Sequence, residues 1–327
     1  METRPLGTTG ADVTEVGLGT WQLGGDWGDV AEDRAREAVR AALDAGITLL
    51  DTADVYGDGR SERLISEVLA DREEDPVVAT KAGRRLDPHT AEGYTEANLR
   101  RFVDDSRGRL GVETLDLVQL HCPPTDVYYR PETFEALETL KAEGRISGYG
   151  VSVERVEEAL KAIEYPGVET VQIIFNPFRQ RPRETFFRAA AARNVGVIVR
   201  VPLASGLLTG GLSTDTEFPE NDHRSFNRDG EAFDVGETFA GVPYEDGLAA
   251  VDAIEPLVPE GQSMAQFTLR WILDHNAVST VIPGSATPEH IRENVAAADL
   301  PRLSADRHAG VREVYDESIR EHVHQRW

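Results

Sequence analysis

Short apolar runs recur along the chain at a spacing typical of alternating strands and helices. Each run is apolar on both faces and ends on polar or glycine residues, as expected for a strand buried inside a parallel sheet. The first seven runs begin about 30 residues apart, which is the length of one strand, its loop and a helix. The predicted strands are 16–20, 47–51, 76–81, 115–121, 146–151, 171–175, 196–201 and 278–283.

Stretches with a helical repeat fill the gaps between these runs. Residues 31–45 place their apolar side chains on one stripe and stop at Gly46, a residue that favours a left-handed helix end. Ser61 is a predicted N-cap, and Thr287 followed by Pro288 predicts another helix start. Similar patterns predict helices over 94–110, 131–143, 153–163, 182–192 and 263–274.

Eight alternating strand and helix units favour a (β/α)₈ TIM barrel, formed by residues 1–327 as one domain. An open, doubly wound sheet is the alternative fold. The ends add an N-terminal β-hairpin and a C-terminal helix near 304–323. The interval 202–262 after the seventh strand is long, and its acidic, glycine-containing part 211–261 is interpreted as a lid or binding loop, or else as disordered.

Composition narrows the range of partners. Acidic residues number 58 against 34 Lys and Arg, giving a net charge of −24 and a pI near 4.7. Nucleic acid and anionic membranes are therefore poor partners. The first residues do not resemble a signal peptide, and Cys122 is the single cysteine, so we expect a cytoplasmic protein without disulfides.

The basic residues are strongly skewed, because lysine stands only at Lys81, Lys141 and Lys161. An acidic, lysine-poor surface suggests a halophilic protein from a salt-rich cytoplasm, where a Debye length of about 3 Å screens self-repulsion. The alternative is an ordinary acidic protein. Under the first hypothesis the fold loosens in dilute buffer.

Polar side chains end three consecutive predicted strands, namely Asp51, Lys81 and His121, and Tyr56 follows shortly after Asp51. In a barrel such strand ends meet at one mouth. Tyrosine has an ordinary pKa of about 10, and an ammonium about 4 Å away would favour tyrosinate by up to about 4 kcal/mol before desolvation is subtracted. Asp51 would keep Lys81 charged, and a neutral His121 would orient a carbonyl. The set predicts proton transfer to a carbonyl or from an alcohol.

Eight segments, in this order, resemble the successive motifs of the aldo-keto reductase family. They are VGLGTWQLGG, LLDTADVYGDGRSE, VVATKAG, LDLVQLHCPP, GYGVSV, VQIIFNPF, VPLASGLLTG and VIPGSATPEHIRENVAA. The resemblance spans residues 16 to 297 and implies NAD(P)H-dependent reduction of an aldehyde or ketone on a (β/α)₈ barrel. It implies Asp51, Tyr56, Lys81 and His121 as the catalytic tetrad, with Tyr56 as the general acid.

The resemblance also implies the cofactor site. Ser152 and Gln172 would hold the nicotinamide carboxamide, and Trp21 would line the substrate side of the site. The remaining implied positions are Gly19 and Thr20 in the first loop, Leu203, Ser205, Gly206 and Leu208 at the pyrophosphate, and Gly284, Ser285, His290, Glu293 and Asn294 at the adenosine.

The chain departs from the family pattern in three places. Val153 follows Ser152 where an asparagine is frequent, and Arg200 stands where many members stack a tyrosine on the nicotinamide. The charge of Arg200 predicts preferential binding of reduced cofactor. No Lys or Arg lies at 284–286, and His290 and Arg292 are the nearest candidates for a 2′-phosphate, so NADP(H) is favoured and NAD(H) stays possible.

Two other functions fit parts of the sequence pattern. The chain is also similar to potassium-channel β subunits, which suggests a cofactor-binding redox sensor with slow turnover. Lys81 could alternatively form a Schiff base in an aldolase-type barrel. No metal site is predicted, because the histidines of the EHVHQ tail have no third ligand nearby. The physiological substrate and the oligomeric state are left open.

Overall fold

Eight parallel strands form the centre of the protein, described for residues 1–327 by a computed structural model. They are β3 (Leu18–Gly19), β4 (Leu49–Asp51), β5 (Val77–Ala82), β6 (Leu115–His121), β7 (Ile146–Ser152), β8 (Val168–Ile174), β9 (Gly196–Arg200) and β10 (Val278–Val281). Each strand pairs with the next, and bridges from Val16 to Val281 and from Gly19 to Gly284 join the first strand to the last. The (β/α)₈ barrel is confirmed, and the open sheet was the wrong alternative.

The predicted N-terminal hairpin closes the bottom of the barrel. It comprises β1 (Thr3–Pro5) and β2 (Asp12–Thr14), paired antiparallel. Leu6 and Val13 of this hairpin are fully buried against barrel residues such as Leu49 and Leu117. The hairpin therefore seals the end opposite the carboxyl ends of the strands.

Helices surround the barrel and cover its outer surface with apolar side chains. The helices are α1 (Trp21–Gly24), α2 (Glu32–Asp44), α3 (Arg60–Leu69), α4 (Glu96–Leu110), α5 (Pro131–Ala142), α6 (Val156–Ala162), α7 (Phe186–Ala192), α8 (His223–Phe226), α9 (Tyr244–Ile254), α10 (Met264–Leu273), α11 (Pro288–Ala296), α12 (Ala305–Val314) and α13 (Arg320–Val323). The apolar stripe predicted within 31–45 is buried in α2, as expected from its repeat. No helix combines the length and apolarity needed to cross a bilayer.

Two predicted helix caps differ in detail from the structure. Helix α3 begins at Arg60 after Gly59, which has a left-handed conformation, so Ser61 lies inside the first turn and is not the N-cap. The Ser61 hydroxyl instead bonds to Thr20 and Thr52 in the interior. Thr287 does precede α11, but its hydroxyl makes no cap to the helix.

The long interval 202–262 is folded rather than disordered. It contains short helical turns, α8 and the eleven-residue α9. The C-terminal helical region continues through a π-helical turn, Tyr315–Ile319, between α12 and α13. Beyond it, Trp327 is buried against Arg179 and donates from its ring nitrogen to Asp234 at 2.9 Å. The last residue therefore fastens the long interval to the barrel.

Candidate active site

The four polar residues predicted at the strand ends meet at the carboxyl end of the barrel. Asp51 ends β4, Lys81 lies near the end of β5 and His121 ends β6. Tyr56 lies in the short loop between β4 and α3, and its ring stands 5.9 Å from that of His121 in an edge-to-face arrangement. Because neighbouring parallel strands end at the same edge, residues far apart in sequence become direct neighbours here.

Lys81 is the centre of this group and is held by three hydrogen bonds. Its ammonium donates to Asp51 Oδ2 at 2.7 Å, to the Thr52 carbonyl at 2.8 Å and to the Tyr56 hydroxyl at 3.2 Å. An ammonium has three donors, so none is left free. The side chain is 1% exposed. Burial lowers the Lys81 pKa, but the charge of Asp51 and the contact with Tyr56 outweigh it, and the net pKa is raised. Lys81 is therefore a fixed cation.

Asp51 is held on both sides. While Oδ2 accepts from Lys81, Oδ1 accepts from Gln172 Nε2 at 2.6 Å. Gln172 in turn accepts a hydrogen bond from the Ser152 hydroxyl at 3.3 Å. The residues expected at a carboxamide thus also orient the carboxylate that supports Lys81.

Burial keeps the Tyr56 hydroxyl protonated. Lys81 lowers the pKa of Tyr56, as expected, but burial raises this pKa more and Asp51 opposes Lys81, so the net pKa is raised. Lys81 donates to the hydroxyl oxygen, so the hydroxyl proton is free to point elsewhere. A protonated tyrosine with a free O–H suits a proton donor to a carbonyl oxygen.

His121 is a neutral side chain at the same site. Burial lowers its pKa well below the ordinary value, and the positive charges of Arg84 and Lys81 lower it further. Its Nδ1 is buried and has no hydrogen-bond partner. The ring lines the central cavity next to Tyr56, where a neutral imidazole is able to hydrogen-bond a substrate oxygen.

A cavity of about 640 Å³ opens above these residues and runs from Tyr56 to α11. Its size is within the range of small-molecule and cofactor sites. Residues expected from the sequence at the catalytic and cofactor sites line most of it: Gly19, Trp21, Asp51, Tyr56, His121, Ser152, Gln172, Arg200, Leu203, Ser205, Gly206, Gly284, Ser285, His290, Glu293 and Asn294. The structure thus brings together segments that are separated by up to 275 positions in the chain.

Two expected cofactor residues, Thr20 and Leu208, are not on the cavity wall. The Thr20 hydroxyl donates to the Asp51 carbonyl at 2.8 Å, and Leu208 is fully buried in the apolar core. Ser205 does line the cavity, but its hydroxyl donates to the Glu237 carbonyl and accepts from the Phe239 amide. The hydroxyls of Thr20 and Ser205 and the side chain of Leu208 already have partners within the protein. We infer that they stabilise the loops around the cavity.

The long interval packs side chains against the cavity residue Trp21, and the sequence reading missed these contacts. His223 packs its ring 4.7 Å from Trp21 and 4.4 Å from Trp27, and its amide donates to the Asp26 carbonyl at 2.8 Å. Phe233 adds a contact to Trp21 at 5.7 Å. Several aromatic residues within 218–244 were the only sign in the sequence that this interval packs against the barrel. Their spacing did not show which residues they contact.

Glu237 is the second group that the sequence reading missed. It is buried, lines the cavity and forms an ion pair with Arg84, and its Oε1 lies 3.6 Å from Arg200. Although burial favours its neutral form, Arg84 and Arg200 hold its pKa well below the ordinary range. Arg200 also pairs with Glu154 at 2.9 Å. The guanidinium expected to face the nicotinamide is therefore already engaged by two acidic side chains.

Glu154 and Glu237, together with Cys122, have the spacing of a metal-binding cluster. Ligand atoms of Cys122, Glu154 and Glu237 lie within 4.8 Å of one another. The arginines described above pair with both carboxylates, and burial raises the pKa of the Cys122 thiol. A neutral thiol and engaged carboxylates are poor ligands, so the cluster gives no support for a metal.

The fold is a TIM barrel with one cofactor-sized cavity at the carboxyl ends of its strands, and a family comparison assigns the class of protein. Residues 15–316 match the model of the aldo/keto reductase family. The chain is 32% identical over 310 residues to an uncharacterized oxidoreductase of Bacillus subtilis, YqkF, covering 94% of both chains. The protein belongs to the aldo/keto reductase family.

Solved structures agree with this assignment. The glycerol dehydrogenase AKR11B4 from Gluconobacter oxydans superposes with a TM-score of 0.78 at 30% identity, covering 97% of this chain and 96% of that one. An aldo/keto reductase from Klebsiella pneumoniae, solved with NADP and acetate, gives a TM-score of 0.71 at 25% identity and covers 96% of both. The likeness extends over essentially the whole barrel.

Proposed function

We propose that the protein reduces an aldehyde or ketone to the alcohol, reversibly, with NADP(H) favoured as cofactor and NAD(H) possible. The observation that carries this proposal is the contact of the buried Lys81 ammonium with both Asp51 and the Tyr56 hydroxyl, two residues that line a cofactor-sized cavity. We include a cytoplasmic location and a small carbonyl substrate in the proposal.

Each of the four residues has a distinct role. Tyr56 donates its proton to the carbonyl oxygen, and Lys81 stabilises the tyrosinate that remains. Asp51 keeps Lys81 charged and aimed, because a buried ammonium without an anion would tend to lose its proton. Neutral His121 orients the carbonyl oxygen. In oxidation of an alcohol the proton returns to the tyrosinate.

The cavity residues fit a nicotinamide cofactor. The bound cofactor would supply the hydride that adds to the carbonyl carbon. Gln172 contacts Asp51, and Ser152 contacts Gln172. The side-chain oxygen of Gln172, Oε1, is an acceptor suited to a carboxamide N–H. At the other end the first turn of α11 offers backbone N–H groups and a partly positive helix terminus. The ion pairs of Arg200 offset its charge, so we propose a weaker preference for reduced cofactor than the sequence alone indicated.

A panel of aldehydes and ketones, assayed with NADPH and with NADH in high salt, tests the function. We expect Tyr56→Phe to lower kcat by about 10²- to 10⁴-fold, the usual contribution of a general acid, while cofactor affinity is retained. Tyr94→Phe is the matched control, because it removes a buried tyrosine hydroxyl that lies outside the cavity. Equal activity of Tyr56→Phe and the wild type would refute the assignment.

The two alternatives are tested by other readouts. A redox sensor would retain cofactor through gel filtration and turn over slowly with every substrate. A Schiff-base enzyme would be trapped covalently on Lys81 by borohydride. The three hydrogen bonds and raised pKa of Lys81 argue against this chemistry, which requires a neutral amine with an accessible lone pair.

A further inference from the structure

Arg34 lies beside the α11 end of the cavity, next to its lining residues but not among them, although it is far from that end in sequence. It is an exposed residue of α2, which packs beside α11. Its Nε donates to the Ala286 carbonyl at 3.1 Å, and its Nη2 donates to the Thr287 hydroxyl at 2.7 Å. Ala286 and Thr287 both line the cavity. A guanidinium is therefore fastened to the loop between β10 and α11.

The guanidinium is oriented and still has free donors. No carboxylate lies within salt-bridge distance of it, which is notable in a chain of net charge −24. Its Nη1 makes no hydrogen bond, so one edge of the planar group is held by the loop and the rest is open to a ligand. Arginine binds phosphate through several N–H groups at once, and a plane already fixed by protein contacts loses less entropy on binding.

Other basic residues near this end are less suitable. Arg292 pairs with Glu289 at 3.7 Å, and its side chain is 63% exposed. His290 lines the cavity, but an imidazole offers at most two N–H donors where a guanidinium offers five. NADP differs from NAD only by a 2′-phosphate on the adenosine ribose, so discrimination requires a cation placed beside that ribose. Arg34 is the arginine that the fold fastens to this loop.

We propose that Arg34 is the residue that selects NADP(H) over NAD(H), by binding the 2′-phosphate of the adenosine. This inference rests on the proposed function, because it assumes that the adenosine lies along Gly284, Ser285, His290, Glu293 and Asn294. A purely structural role is the competing explanation, since Arg34 also links two helices. The two explanations differ in one respect. A structural link supports both cofactors equally, whereas a phosphate ligand supports only NADP(H).

Binding of two cofactor fragments separates these explanations without any catalysis. Isothermal titration at one fixed, high salt concentration measures the affinity for 2′,5′-ADP and for 5′-AMP. The proteins are the wild type, Arg34→Gln, Arg34→Lys and the control Arg40→Gln, which makes the same charge change at an exposed, unpaired position of α2. We expect Arg34→Gln to weaken 2′,5′-ADP binding at least about tenfold, or about 1.4 kcal/mol, and to leave 5′-AMP unchanged. Arg34→Lys should recover part of the loss, and Arg40→Gln should change neither affinity.

Two results would overturn the proposal. One is an equal loss of both ligands in Arg34→Gln, which would indicate a structural link. The other is an unchanged preference for 2′,5′-ADP in that variant, which would place the phosphate elsewhere. Carbonyl reduction with NADH serves as a separate check, because Arg34→Gln should retain it. If no variant and no wild type reduces any carbonyl, the proposed function fails irrespective of the fragment data.

Discussion

Replacing Asp51 by Asn removes one charge from the buried site with almost no change in shape. Gln172 Nε2 donates to Asp51 Oδ1, so the new amide turns its oxygen toward Gln172 and its NH₂ toward Lys81. Two donors then face each other where a carboxylate and an ammonium met at 2.7 Å. Lys81, 1% exposed, becomes a buried cation with no anion in contact.

The expected decrease in the free energy of unfolding of Asp51→Asn is large and depends on pH. Breaking one side of a buried ion pair typically costs about 3–5 kcal/mol, and we expect a loss of that size near pH 7. In the wild type the folded pKa of Lys81 is raised above 10.5, so this pair stabilises the fold up to that pH and is lost above the raised pKa. In the variant the charge of Asp51 no longer opposes the effect of burial, so we expect the pKa of Lys81 in the folded protein to fall below 10.5. The loss therefore shrinks as pH rises toward 10.5, by up to about 1.4 kcal/mol per unit.

Urea unfolding of both proteins across this pH range measures the difference. Asp116→Asn is the control, because it makes the same change at an exposed carboxylate of β6 that accepts one backbone hydrogen bond. Adding Lys81→Met to Asp51→Asn should recover stability but not activity, since it removes the unpaired charge together with the catalytic support. A loss below about 1 kcal/mol near pH 7, or one that does not vary with pH, would refute this account of the pair.

Three further predictions concern the parts around the site. Glu237→Gln leaves Arg84 and Arg200 with one buried anion fewer, and we expect the free energy of unfolding to fall by about 3 kcal/mol in urea titrations; the loss of a surface pair, below about 1 kcal/mol, would contradict the burial argument. Trp327→Ala removes a buried ring and its hydrogen bond to Asp234, so proteolysis within 211–241 should accelerate and stability should fall by about 3–5 kcal/mol; an unchanged digestion pattern would show that the interval is held by other contacts. Full activity and an unchanged melting temperature at about 0.1 M salt, where the Debye length is about 10 Å, would contradict the hypothesis that the charge of −24 requires molar salt.

The strand positions were predictable because their apolar pattern is local. A strand buried on both faces needs a continuous apolar run, and a barrel needs such runs at regular spacing. The predicted strand 115–121 matches β6 at both ends, and the others differ by a few residues. Helix caps were less predictable, as Ser61 illustrates. A serine hydroxyl at a helix start has several possible partners, and here the interior contacts with Thr20 and Thr52 prevail over the cap.

Protonation states at the site were only partly predictable. The sequence placed a lysine, a tyrosine and two further polar groups at neighbouring strand ends, which was sufficient to identify the kind of chemistry. It did not give the extent of burial, and for Tyr56 burial outweighs the nearby ammonium and raises the pKa. The balance between two opposing effects depends on distances and solvent access, and both are properties of the folded chain.

The sequence by itself determined the barrel, the family resemblance and the positions that carry polar groups at the strand ends, because periodicity and motif order are encoded locally. Only the tertiary structure decided which charges pair. It brought Glu237 from the long interval to Arg200, and it brought Arg34 to a loop that follows it by more than 250 residues. Electrostatic interactions depend on separation in space and on burial, so they become defined only when distant segments pack together.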